Sequence, residues 1–489
     1  MSSSLQRFSI GPLGFELATD TGSLREIRFC GHEIVRAIYP AMRDREWATF
    51  PPQMEAVESF IGPETIRLFL RARVKGTEMD LSWTAEIEAQ SSGRVTYRWR
   101  GKAMSDSVTN RTGLCVLHPA EVAGCPCMVE HTDGRQMAGW FPQDIAPHQP
   151  FRDIRTITHV VGRGEVFVRM EGDVFEMEDH RNWTDASFKT YCRPLDWPRP
   201  YRLPIGGDIE HAVTVEVRGL WASASVVPRG TDGANPRLPG IGFTLPGSIP
   251  ESLIDRVRAL RPAHVRVEAT PASLLATLDW ARIEAERLDC DLVVGLLGAD
   301  SHPPNRAWFP ARCSVHLFDE ERNHAPTEVL AAWRDVGFER IATGTLGDFA
   351  ALNRVRPPVS ANHSHTVFGI NAQVHAADDY SILETITQHG VVAHSAHRIG
   401  GGRPVVVAPI SLGRRSDCVD VRLGSALAAH WLLGSLRRLA EAGCVESATY
   451  FQTHGPLGFL REEVVTPVER LLLALAGRET LPPDFQPPA

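Results

Sequence analysis

Two hydrophobic periods run through this chain, and one gives way to the other near residue 240. Up to that point apolar and polar residues alternate, most clearly over 65–74, 81–89 and 95–101, and again over 159–161, 165–172 and 211–219. A period of two puts every second side chain on one face, the pattern of half-buried antiparallel strands. Turn-formers such as Ser91-Ser-Gly93 and Gly162-Arg-Gly164 separate the runs. Residues 1–239 are therefore expected to form a β-sandwich of packed antiparallel sheets. The Pro/Gly-rich stretch from Val227 to Gly240 reads as a hinge at its end.

Beyond the hinge the rhythm becomes strand, helix, strand. Eight short apolar or β-branched segments follow, at 241–245, 264–268, 292–297, 314–318, 340–346, 367–374, 404–412 and 447–453. Helical periodicity is clearest at 271–287, 326–336, 380–389 and 424–441, whereas 391–403, with Gly400-Gly-Gly402, shows no clear helix. Eight β/α units predict a (β/α)8 TIM-like barrel over 240–456, with an open doubly wound sheet as its rival. Residues 457–489 are expected to form a C-terminal helical tail, amphipathic over 462–478 and Pro-rich at its end.

At 489 residues, 43% hydrophobic, the chain can bury cores of this size without a staple. A net charge of −8 argues against a nucleic-acid surface, which needs clustered Lys and Arg. No apolar run approaches the roughly 18–20 residues of a membrane span. The N-terminus lacks the basic and apolar regions of a secretory signal. The nine cysteines are irregularly spaced, with Cys125-Pro-Cys127 the one close pair. A reduced, cytoplasmic protein without nucleic-acid or membrane partners is expected; self-association as a homo-oligomer stays open.

In a barrel, function gathers where strands end at the C-terminal edge. Those positions hold Glu268, Asp319, Glu320, Asp348, Gln373, His375, Gln452, Thr453 and His454. Asn371, Gln373 and His375 alternate, so they share one face, where an imidazole can act as a base and amides can bind hydroxyls. Asp378 and Asp379 read as N-caps of the next helix, and Ser381 and Glu384 have capping-box spacing. His363 and His365 lie on one side of an extended segment, a metal-ligand arrangement only if further ligands converge. No His-Glu-x-x-His, nucleophile elbow or phosphate loop occurs. No metal or organic cofactor is expected.

The densest polar segment lies in the first half, from Phe175 to Tyr191. Glu178, Asp179, His180, Arg181, Asn182, Asp185 and Lys189 are interleaved there with Trp183, Phe188 and Tyr191. Fixed donors and acceptors beside apolar walls are what a polar ligand requires. Adjacent carboxyls at Glu178 and Asp179 near Arg181 would have their pKa values pushed apart, as acid/base work needs. The competing reading is an inter-domain salt-bridge cluster.

This segment, with the stretch Asn371-Ala-Gln-Val-His-Ala-Ala-Asp-Asp-Tyr-Ser381, resembles the D-apionate lactonase family of bacterial apiose catabolism. The family's Glu-Asp-x-Arg-Asn-Trp-Thr-Asp-Ala-Ser pattern is matched from Glu178 to Ser187. Position 180 is His where the family pattern has Gln, and Asn371 is followed by Ala where it has Pro. The resemblance implies a soluble carboxylic ester hydrolase opening D-apionolactone, a small sugar lactone, to D-apionate. It implies Glu178, Asp179 or His375 as general base. His180, Arg181, Asn182, Trp183, Asp185, Glu268, Asn371, Gln373 and Gln452 are then expected around the substrate. Two other functions compete. A glycoside hydrolase would use two carboxylates such as Glu268 and Glu320, and a carbohydrate-binding protein would have no turnover.

Overall fold

In the computed structural model, residues 5–221, 236–321, 323–413, 419–462, 464–482 and 485 are described. The chain forms two compact units. The first comprises Met1–His180 and Ser187–Pro228; the second comprises Arg181–Ala186 and Arg229–Ala489. Most of the hinge expected at Val227–Gly240 lies outside the described residues.

The first unit is antiparallel. Its strands make one sixteen-stranded sheet, running from Leu5–Ile10 at one edge to Gln53–Ile61 at the other, with a two-stranded ribbon of Ser107–Thr109 and Tyr201–Leu203 beside it. The expected pair of packed sheets is thus a single curled sheet. Strands distant in the sheet order share one core, which contains Leu17, Leu24, Trp83 and Trp99 together. The Tyr97 hydroxyl crosses that core to donate to the Gly22 carbonyl at 2.8 Å. Alternation shows that a strand has one buried face; it does not say whether a second sheet or the same sheet, bent over, covers it. The meander Thr65–Lys75, Asp80–Gln90 and Val95–Ala103 pairs in sequence order, as its three alternating runs predict.

One hairpin of this sheet matters for function. Phe175–Asp179 pairs with Ser187–Tyr191, placing Glu178 opposite Lys189 and Asp179 opposite Phe188. Its connection opens with the 3-10 turn His180–Trp183, and Arg181–Ala186 is part of the second unit.

The second unit is a closed barrel of eight parallel strands: Gly240–Thr244, His264–Ala269, Asp291–Leu297, Cys313–Phe318, Ile341–Asp348, His365–Asn371, Val405–Ser411 and Val445–Gln452. The first strand pairs with the eighth, so the open-sheet rival is excluded. Around it stand α1 (Ile254–Ala259), α2 (Leu274–Leu288), α3 (Thr327–Asp335), α4 (Phe349–Val355), α5 (Asp379–Ile399), α6 (Ala426–Ala442) and α7 (Pro467–Leu475). Among the described residues the third and fourth strands are joined by a 3-10 turn, Arg306–Trp308, rather than an α-helix. α5 corrects the expectation for 391–403. Gly390 leaves room for the α6 backbone, since a Cβ there would lie 3.0 Å from the Arg438 carbonyl. The glycine triplet ends the helix instead of replacing it. No helix among the described residues is long and apolar enough to cross a membrane.

Candidate active site

His375 follows the sixth barrel strand, and its Nδ1 lies 2.6 Å from Oδ2 of Asp185 in the 181–186 segment. Both side chains are partly buried, 22% and 19% exposed. The Trp183 ring meets His375 edge to face with centroids 5.0 Å apart, and the Arg354 guanidinium lies over Trp183. Asn182 accepts a hydrogen bond from Asn353 Nδ2 at 2.9 Å, which orients its amide. Arg181 is 2% exposed. A carboxylate on Nδ1 fixes the imidazole tautomer and directs proton exchange through Nε2.

Asp348 ends the fifth strand. Burial pushes its carboxyl up to about 6; the His375 imidazole opposes that rise and the Asp185 carboxylate adds to it. Sequence position alone marked Asp348 as one polar strand end among many. Asn353 and Arg354, one helix turn further on, carried no sequence signal.

A cavity of about 410 Å³ opens at the C-terminal ends of the first, second, seventh and eighth strands. Glu268, Ser411, Asp420 and Gln452 line it together with the rings of Trp280 and Phe451. Glu268 is anchored from below by Arg266, whose Nη1 donates to its Oε1 at 2.6 Å. Arg266 itself is fully buried inside the barrel. Gly295 makes room for it, because a Cβ there would lie 2.5 Å from Nη2. Gln373 donates through Nε2 to the Leu412 carbonyl and to Asp420, both at 2.6 Å. Both its amide hydrogens are thereby committed, and Gln373 holds Asp420 in place. Burial opposes ionisation of Asp420, but bonds from Arg422 and Gln373 outweigh it and hold the carboxyl at about 2. Asp420, the N-cap of the 3-10 turn Val421–Gly424, carried no sequence signal. Asn371 accepts the Gln373 backbone N–H and stiffens this turn. Glu320, offered as a partner carboxylate for Glu268, does not line the cavity.

In the first unit, Glu178 and Asp179 do not form a coupled pair. Consecutive strand residues face opposite ways. Asp179 accepts the Ala146 backbone N–H at 2.9 Å and is 1% exposed. Glu178 bonds His180 Nε2 at 3.2 Å and pairs with Lys189 at 3.4 Å. Burial opposes ionisation of Glu178, yet Lys189, His180 and Arg111 together hold its carboxyl well below the usual range. A carboxylate so stabilised is a weak proton acceptor. The other ring nitrogen of His180 lies 3.4 Å from the Ser187 hydroxyl.

His365 is engaged by Ser364 and by Glu446, and His324 packs edge-on against His363. Among the described residues no set of three candidate metal ligands includes His363, His365, Cys125 or Cys127. Asp378 caps α5 by accepting the Ser381 N–H, while Asp379 pairs with Arg422.

The Asp185–His375 pair and the acid- and ring-lined cavity both belong to the barrel unit, which defines the class: a parallel-barrel protein with polar groups gathered at its strand ends. Its relatives narrow this class. Residues 2–220 match the family model described as D-apionate lactonase, N-terminal domain, and residues 263–480 match D-apionate lactonase, TIM barrel domain. The D-apionate lactonase of Brucella anthropi is 31% identical over 442 residues, covering 82% of this chain and 72% of that protein. The chain belongs to the D-apionate lactonase family. Among solved structures, a galactose 1-epimerase from Lactobacillus acidophilus matches with a TM-score of 0.29 and 6% identity, over 44% of this chain and 94% of that one. An endo-β-1,4-mannanase from Thermotoga petrophila matches with a TM-score of 0.36 and 10% identity, over 52% and 79%. At these scores neither likeness bears on chemistry.

Proposed function

We propose that this protein is a hydrolase that opens a sugar lactone, with D-apionolactone as the favoured substrate and D-apionate as product. The observation that carries this reading is the 2.6 Å contact between Asp185 and His375 at the barrel mouth. Lactone hydrolysis needs a base for water, donors for the carbonyl oxygen and groups that hold the sugar hydroxyls. His375 takes the water proton on Nε2, and the Asp185 carboxylate stabilises the imidazolium that forms. Arg181 and Asn182 face the carbonyl and its oxyanion, with Trp183 as an apolar wall. Glu268, Asp420 and Gln452 accept or donate to hydroxyls, and Trp280 and Phe451 supply the faces on which a sugar ring packs. The family relationship supports the substrate class. Glu178 and Asp179 support the fold of the first unit in this scheme.

The test is a pH-indicator assay of D-apionolactone, other five- and six-carbon aldonolactones, and aryl glycosides. Turnover of lactones with preference for D-apionolactone is expected. Cleavage of aryl glycosides with inert lactones would replace this reading by a glycosidase, and absence of any turnover would leave a binding protein.

A further inference from the structure

We propose that Asp348 is the acid that delivers a proton to the departing ring oxygen as the lactone opens, an assignment that rests on the hydrolase reading above. The backbone builds this position deliberately. Gly344 of the fifth strand pairs with Val367 of the sixth, and the next paired residues are Asp348 and Gly369. Residues 345–347 therefore stand opposite the single residue Phe368. Such a bulge bends a strand end and re-aims the side chain that follows it. Gly369 is the residue that accommodates it: a Cβ there would lie 3.2 Å from the Leu346 and Gly347 carbonyl oxygens and 3.1 Å from that of Pro409.

Asp348 occupies the N-cap of α4 in extended backbone geometry, where an aspartate ordinarily accepts a helix N–H. Its side chain makes no such capping bond. The charged groups acting on it are His375, from the loop after the sixth strand, and Asp185, from the 181–186 segment. Asp348 thus pairs with Gly369 of the strand that leads to His375, without serving the helix that it begins. Burial, with its carboxyl raised to about 6, keeps part of it protonated where most carboxyls are ionised.

The proton count closes. His375 Nε2 removes a proton from water as the hydroxide oxygen bonds to the carbonyl carbon. The tetrahedral intermediate collapses, the bond from that carbon to the ring oxygen breaks, and the Asp348 carboxyl proton passes to that oxygen to leave a hydroxyl. The imidazolium then returns its proton to the Asp348 carboxylate through solvent, and the new carboxylic acid ionises into water. An aliphatic alkoxide is a poor leaving group and needs this acid; a thiolate does not.

The experiment compares D-apionolactone with its ring-sulfur thiolactone analogue in wild type and Asp348→Asn, with folding checked by thermal unfolding. The variant should lose on the order of 10²–10⁴-fold in kcat on the oxygen lactone and stay within a few-fold on the thiolactone. Wild-type kcat on the oxygen lactone should fall as pH rises through about 6, and that limb should be absent with the thiolactone. Equal losses on both substrates, or none on either, overturn the assignment while the hydrolase reading stands. Wild-type inactivity on both overturns the two together. Should Asp348→Asn not fold, the wild-type limb decides: the same pH dependence for both leaving groups overturns the assignment.

Discussion

Asp185 and His375 are 190 residues apart in sequence and share a 2.6 Å hydrogen bond. In the proposed mechanism that bond sets which nitrogen takes the proton, so its loss should act on rate before affinity. Asp185→Asn keeps the shape but presents a neutral partner, and His375→Gln removes the base. Each should lower kcat on the order of 10²–10⁴-fold with KM changed little; steady-state kinetics with unchanged melting curves checks this. Glu268→Gln should behave oppositely. It keeps a hydroxyl-binding group but weakens the pairing to buried Arg266, so KM should rise by roughly tenfold, about 1.4 kcal/mol, with kcat nearly retained. A kcat defect larger than the KM defect would place Glu268 in the chemistry. Much of this residue list was legible in the sequence. Strand-end position pointed to His375 and Glu268, and the polar segment pointed to Asp185, Asn182 and Trp183. Their partnership was not legible, because no local period links a hairpin tip to a loop after a barrel strand. The separate partners of Glu178 and Asp179 were not legible either: adjacency in sequence suggested coupling, whereas a strand sends neighbours to opposite faces.

At the scale of elements, the eight barrel strands stood out because each is a short run buried on both sides, flanked by turns or helical periods. The curled sheet of the first unit was less legible, since alternation specifies a buried face and not its cover. The second half of α5 was not legible because the Gly400 triplet looks like a flexible loop, whereas it only ends the helix. The bulge in the fifth strand had no sequence signature beyond Gly344 just before it and Gly347 within it. It makes a definite demand on Gly369. Introducing Ala there forces a methyl against three carbonyl oxygens at 3.1–3.2 Å, a strain of about 1–3 kcal/mol by analogy with overpacked cores. Gly369→Ala should lower the melting temperature of the barrel unit by several degrees and reduce lactone turnover more than a comparable surface substitution. Wild-type stability in Gly369→Ala would show that the bulge relaxes freely around the added methyl.

For the whole molecule, the dominant pH response should come from histidines folded into its interior. Burial holds His159 and His211 of the first unit, and His264 and His363 of the second, at about 4; His389 is pushed to about 3. Burial also drives His118 and His316 well below the ordinary imidazole range. In the unfolded chain these rings titrate near 6.5. Between about 6.5 and 4 the unfolded state therefore binds more protons, so stability is complete above that window and falls as pH drops through it. A fully buried ring such as His159 or His264 contributes roughly 3 kcal/mol to that loss. Three carboxyls act in the opposite sense. Glu33, raised to about 7 by burial, Asp348, raised to about 6, and Asp173, also raised by burial, favour the folded state as pH falls. Three such groups against these seven rings leave the imidazoles in control. The sequence pI of about 6.2 sharpens the test, because net-charge repulsion is smallest near the upper end of the window and cannot itself begin the decline. Calorimetric unfolding between pH 7.5 and 4.5 should show the melting temperature falling steadily below about 6.5. Because each unit holds buried rings, any separate transitions should both move. A melting temperature that is flat or rising down to pH 5 would mean that the rings are protonated or solvated in the folded protein, and the packing described for both interiors would be wrong at those positions.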